Sequence, residues 1–162
     1  MKLLPTTMKM KRLGWGLALL PLLSSCDALM GKEVARLPIN AVSTAGHEVV
    51  REATVQLQKD DKIALWSDMD LAYEGGSAPV RFQVQVMKNG TPFQQLQIDP
   101  TEKNITVGEV KPDINGSVSW RFSGKNAELV APDAGSYTFR AMLVAAANPT
   151  LRVTKAELVL KK

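Results

Sequence analysis

Between Val49 and the C-terminus, apolar residues recur at every second position, and this period of two constrains the fold more than any other feature of the chain. Val80, Phe82, Val84 and Val86 alternate with Arg81, Gln83, Gln85 and Met87, the pattern of a strand with one buried face. Asn89-Gly90 follows at once. A two-residue type I′ turn needs positive φ at both central positions, which Asn and Gly accept most readily, so these residues predict a hairpin into Phe93–Ile98. Upstream, Val49–Gln58 alternates weakly, and Ile63, Leu65, Met69, Leu71 and Tyr73 share a strand face on which Ser67 is the polar exception. Downstream, Ile105 and Val107 mark a short strand, and Asn115-Gly116 turns the chain into Val118, Trp120 and Phe122. Gly124-Lys125-Asn126 reads as a break before a brief Leu129-Val130 segment. Tyr137, Phe139, Ala141 and Leu143 then alternate, and Leu151–Leu160 forms the last strand, its phase change at Thr154-Lys155 predicting a bulge. Short strands at hairpin spacing predict an all-β fold, an antiparallel β-sandwich of Greek-key type or a small barrel, over residues 49–162.

The first residues follow a different rule. Lys2, Lys9, Lys11 and Arg12 precede an apolar run, Leu13–Leu23, with no acidic residue among them. Eleven helical residues rise only about 16 Å, too short for a hydrocarbon core of roughly 30 Å. A short apolar run behind positive charges reads as a signal peptide over residues 1–25, with Met1, Met8 or Met10 as its start. Leu23-Ser24-Ser25-Cys26 resembles the lipobox of bacterial lipoproteins. The resemblance implies diacylglycerol transfer to the Cys26 thiol, cleavage before Cys26 and acylation of the new amine, which anchors the protein to a membrane of the bacterial cell envelope. Asp27 resembles an inner-membrane retention signal in enteric bacteria, whereas other phyla sort differently, so the choice of membrane stays open. Residues 26–48 read as a lipidated tether leading into the first strand.

Cleavage removes the positive charge. Four of the 20 Lys and Arg residues lie before Cys26, leaving 16 against 16 Asp and Glu, so the net charge of +4 belongs to the signal segment and the nucleic-acid reading falls. The mature 137 residues suffice for a single core without disulfides. One histidine, His47, in a Ser/Thr/Ala/Gly stretch, with no Gly-x-Ser-x-Gly motif, supports neither a catalytic triad nor a His/Cys zinc site. No catalytic residue, metal site or cofactor is expected.

Asp133-Ala134-Gly135-Ser136-Tyr137-Thr138-Phe139 resembles the Asp-x-Gly-x-Tyr-x-Cys stretch of immunoglobulin-like domains. The resemblance implies a tyrosine corner, in which the hydroxyl bonds back to the backbone, with Phe139 where the family has a cysteine. It covers seven residues and carries no activity.

Trp66, Asp68 and Asp70 point to one side of their strand, opposite the apolar row. A tryptophan beside carboxylates suits carbohydrate, with CH faces on the indole and hydroxyls donating to Asp; with Glu74 the carboxylates also suit calcium. The alternative is that Trp66 packs inside and the aspartates are solvated. Gln83, Gln85, Gln94, Gln95 and Gln97 make the central hairpin rich in glutamine, which suits a flat polar ligand or another strand and equally a plain surface. The expected function is therefore a lipid-anchored, non-catalytic interaction or accessory module for another envelope protein. The alternative is a carbohydrate-binding module, possibly calcium-assisted, using Trp66, Asp68 and Asp70.

Overall fold

The computed structural model describes residues 30–77 and 79–162, so the signal segment and Cys26 lie outside the described residues. Ten strands follow in chain order: β1 (Glu33–Pro38), β2 (Arg51–Leu57), β3 (Lys62–Glu74), β4 (Val80–Lys88), β5 (Thr91–Ile98), β6 (Ile105–Val110), β7 (Asp113–Ile114), β8 (Ser117–Val130), β9 (Gly135–Ala145) and β10 (Arg152–Lys161). They form two antiparallel sheets, ordered β1-β10-β3-β8-β6, with β7 also on β8, and β2-β9-β4-β5. The alternating apolar residues face one another between the sheets: Ile63, Leu65, Met69 and Leu71 from β3 and Phe82, Val84 and Val86 from β4 all join one buried core. The architecture is an all-β sandwich.

Both Asn-Gly pairs turn as their chemistry requires, with φ of 50° and 80° at Asn89-Gly90 and 55° and 82° at Asn115-Gly116. The phase change in β10 is a register shift between Val153 and Lys155. At the β8–β9 connection, Tyr137 is fully buried and its hydroxyl donates to the Asp133 carbonyl at 2.9 Å, a tyrosine corner. Phe139, two residues on, is fully buried in the core. The immunoglobulin likeness is confined to this corner. In immunoglobulin domains the last strand joins the sheet of the corner strand; here β10 lies between β1 and β3 in the other sheet, and β2 takes the place beside β9. Tyr137→Phe should lower stability by about 1 kcal/mol, the net worth of one such hydrogen bond. Urea unfolding should show this as a lower midpoint with an unchanged slope.

Two expectations need correction. Residues 33–48 are not a tether. β1 pairs with β10, Leu37 and Ile39 are buried in the core, and Val42 bridges to Leu143. The domain therefore begins near Lys32, whose N–H donates to the Lys162 carbonyl at 2.8 Å. Nor does Gly124-Lys125-Asn126 break the chain; β8 runs through it with one extra residue, because Leu65 pairs with Ala127 and Trp66 with Lys125. Gly124 is needed there: a Cβ would lie 2.6 Å from Lys103 Cδ and 2.9 Å from the Ile105 carbonyl oxygen.

Candidate functional site

The two outer faces of the sandwich carry the two clusters singled out in the sequence. On the six-stranded sheet, Trp66, Asp68 and Asp70 do share the outer side of β3, since the side chains between them, Ser67 and Met69, are fully buried on the inner side. They do not form an open site. Trp66 is 2% exposed, and among the described residues it is, with Val159, one of two buried apolar residues outside the core between the sheets. Val159 and Lys125 flank Trp66 on the neighbouring strands, and Lys161 lays its ammonium over the ring, 4.2 Å from the centroid. Among the described residues its Nε1–H has no hydrogen-bond partner.

The carboxylates are engaged as well. Asp68 Oδ2 accepts from Lys155 and, at 3.3 Å, from Arg36. Asp70 Oδ2 accepts from Arg121 Nε at 3.0 Å and Nη2 at 2.6 Å. Arg36 also donates to Glu33 and to Glu157, completing a charge lattice across β1, β10 and β3. Those bonds, to Glu33 first and then Glu157, raise the Arg36 pKa, and the bond from Arg36 holds the Glu33 carboxyl below the usual range. A sugar would have to displace this lattice and would still find no free indole face. Among the described residues no three His, Cys, Asp or Glu side chains gather as a metal site, so the calcium variant, with Glu74, has no geometric basis there.

The four-stranded sheet differs. Its outer face holds an open cleft of about 580 Å³, lined by Glu48 and Val50 before β2, Arg140 and Met142 of β9, Gln83 and Gln85 of β4, and Gln95 and Gln97 of β5. The register builds it as two rows across the strands. Glu52, Arg140, Gln85 and Gln95 lie side by side in one, and Met142, Gln83 and Gln97 in the other. The period of two puts them outward because Phe82, Val84, Ala141 and Leu143 take the core side. Four of the five glutamines are thus brought together. Gln94 is not; opposite Val86, it turns to the other face.

Each glutamine amide offers a carbonyl and an NH₂ group, so the floor is dense in neutral donors and acceptors. Charge is confined to the β2 end, where Arg140 pairs with Glu52 at 3.4 Å and Glu48 stands at the margin. Glu48 is the one carboxylate in the lining, and no aromatic ring contributes to it. The parity of β4 and β5 made these faces legible; Arg140, Met142 and Glu48 were missed because they join the glutamines only through the β4–β9 pairing and the approach to β2. His47, the lone histidine, is exposed in a tight turn in which it and Thr44 exchange backbone hydrogen bonds; it directly precedes Glu48 but is not itself a lining residue.

Sheets, core and cleft define the class: an all-β antiparallel sandwich with a polar trough on one face. No family model matches the sequence, and no curated protein matches it. Among solved structures the chain is similar to a β-glucosidase from Paenibacillus barengoltzii, with 15% identity and a TM-score of 0.32 over 76% of this chain and 10% of that one. The chain spans about a tenth of that enzyme's length, and a likeness at this TM-score carries no argument about fold or activity.

Proposed function

We propose that the protein is a bacterial envelope lipoprotein, moored to a membrane by acyl chains on Cys26, whose sandwich is a non-catalytic interaction module using the glutamine cleft. Support for the anchor comes from Leu23-Ser24-Ser25-Cys26 and from the position of the domain. Only five residues separate Cys26 from Lys32, a reach of about 20 Å when fully extended. The sandwich is then carried close to the bilayer rather than on a long stalk. One acyl chain holds weakly, whereas two or three hold firmly, so the triacylated form stays in the membrane.

The observation that carries the binding role is the cleft floor, with four neutral amides from two adjacent strands and one carboxylate in the lining. General acid–base hydrolysis of a glycoside needs a pair of carboxyl groups flanking the bond. With Glu48 at the margin and Glu52, at the end of the Arg140 row, paired with that arginine, the arrangement favours holding a ligand over cleaving it.

Fractionation of cells expressing the full chain tests the anchor. The native protein should sediment with membranes and need detergent for release, while Cys26→Ala should leave the membrane fraction or accumulate with its signal segment uncut. Mass spectrometry of the N-terminal peptide should find diacylglycerol on the Cys26 sulfur. An unmodified sulfur, or residues 1–25 still attached to the native protein, would overturn the reading.

A further inference from the structure

The geometry points to a ligand class for the glutamine cleft: a short, uncharged glycan whose sugars carry N-acetyl groups. This rests on the cleft being the binding face of the module and goes beyond that reading in naming what it binds. Three features of the lining argue for it. First, adjacent strands lie about 4.8 Å apart, so the three strands of the floor, β9, β4 and β5, together with the segment entering β2, span about 14 Å, the scale of a short oligosaccharide lying across them. Second, charge selects the ligand. An ionic chain would be desolvated over Gln83, Gln85, Gln95 and Gln97 with little counter-charge: Arg140, shared with Glu52, is the one cation of the lining and Glu48 at the margin its one anion. An apolar ligand would strand four amides without partners. A neutral ligand rich in donors and acceptors avoids both costs.

Third, Met142 stands in the same row as Gln83 and Gln97, a half-buried thioether among amides. An acetamido group presents a carbonyl, an N–H and a methyl. Gln83 or Gln85 can return donor and acceptor to the first two, and Met142 supplies a soft apolar contact for the third. With no aromatic ring in the lining, stacking cannot hold a plain glucan, so recognition falls on the substituents. An extended peptide is the poorer fit. The backbone groups of the inner strands β9 and β4 are taken up by the ladders on both sides, and strand addition takes place at a sheet edge rather than on a face.

Titration of the mature, detergent-solubilised lipoprotein with tri-N-acetylchitotriose, chitotriose and cellotriose tests this, read by calorimetry and by shifts of the glutamine side-chain NH₂ signals. The acetylated trimer should move the signals of Gln83, Gln85, Gln95 and Gln97, and the other two should bind at least about tenfold more weakly, a gap of one lost hydrogen-bonding group. Gln85→Ala with Gln95→Ala should weaken the acetylated trimer at least about tenfold, at an unchanged melting temperature, because both side chains reach solvent. Equal binding of the three sugars would overturn the N-acetyl assignment. Absence of binding by all three, with cleft signals that move on addition of membrane extract, would overturn the glycan and leave the module intact. Cleft signals that respond to neither would sink the cleft as the binding face.

Discussion

Asn126→Ala is expected to destabilise the domain by about 3–5 kcal/mol, out of a total near 5–15 kcal/mol for a chain of this size. Asn126 is the extra residue of β8, and its amide fills the gap that the bulge opens in the ladder to β3. Its Oδ1 accepts from Ser67 Oγ at 2.7 Å and from Ser67 N at 3.1 Å. Its Nδ2 donates to the carbonyls of Glu102 at 2.8 Å and Asp99 at 3.1 Å, tying down the β5–β6 connection. Ser67 is fully buried on the core side, so its hydroxyl and N–H cannot turn to water once the amide is gone. Each donor or acceptor left unsatisfied in such a place costs about 1–3 kcal/mol, with the two loop carbonyls nearer the lower end. Ser67→Ala removes one of the stranded groups, so the double variant should be less unstable than the sum of the singles. Chemical unfolding of all four proteins measures this, and a cost for Asn126→Ala below about 1 kcal/mol would show that the network is dispensable.

That network also shows where sequence reading stops. A glycine followed by two polar residues ordinarily marks a turn, and Gly124-Lys125-Asn126 has that local pattern. The glycine is instead required by the close approach of Lys103 and Ile105, and the asparagine by Ser67, contacts that no local pattern encodes. The same limit hid β1. Glu33–Pro38 has apolar residues on both sides, and only pairing with β10, more than a hundred residues away, makes it a strand. Features set by local chemistry were legible: the two Asn-Gly turns, the bulge in β10, the corner at Tyr137, and the parity that puts Trp66, Asp68 and Asp70 on one side. Parity gives the side of a sheet but not what covers it. The glutamines were legible as a row and not as a cleft, because Arg140 and Met142 enter from β9.

Trp66 is where that distinction has the largest consequence. Trp66→Ala should cost about 3–5 kcal/mol, as for other large buried aromatic residues, and lower the melting temperature by roughly 10–20 °C. An exposed sugar platform would behave otherwise, losing its ligand while the fold stayed intact. The 2% exposure of Trp66, the Lys161 ammonium over its ring and the flanking Val159 all place the indole inside the packing. The orphaned Nε1–H sharpens the test, since a buried donor without a partner is a standing cost. Trp66→Phe removes that donor and keeps most of the apolar area, so it should recover most of the loss, whereas a ring that served by stacking on a ligand would show no stability change in either variant. Both proteins should retain the response of the cleft to its ligand in proportion to the fraction folded, because Trp66 lies on the opposite sheet. A Trp66→Ala protein that melts with the native one and yet loses glycan binding would move the site to the six-stranded face, and would require the Lys155, Arg36 and Arg121 contacts of Asp68 and Asp70 to open when ligand arrives.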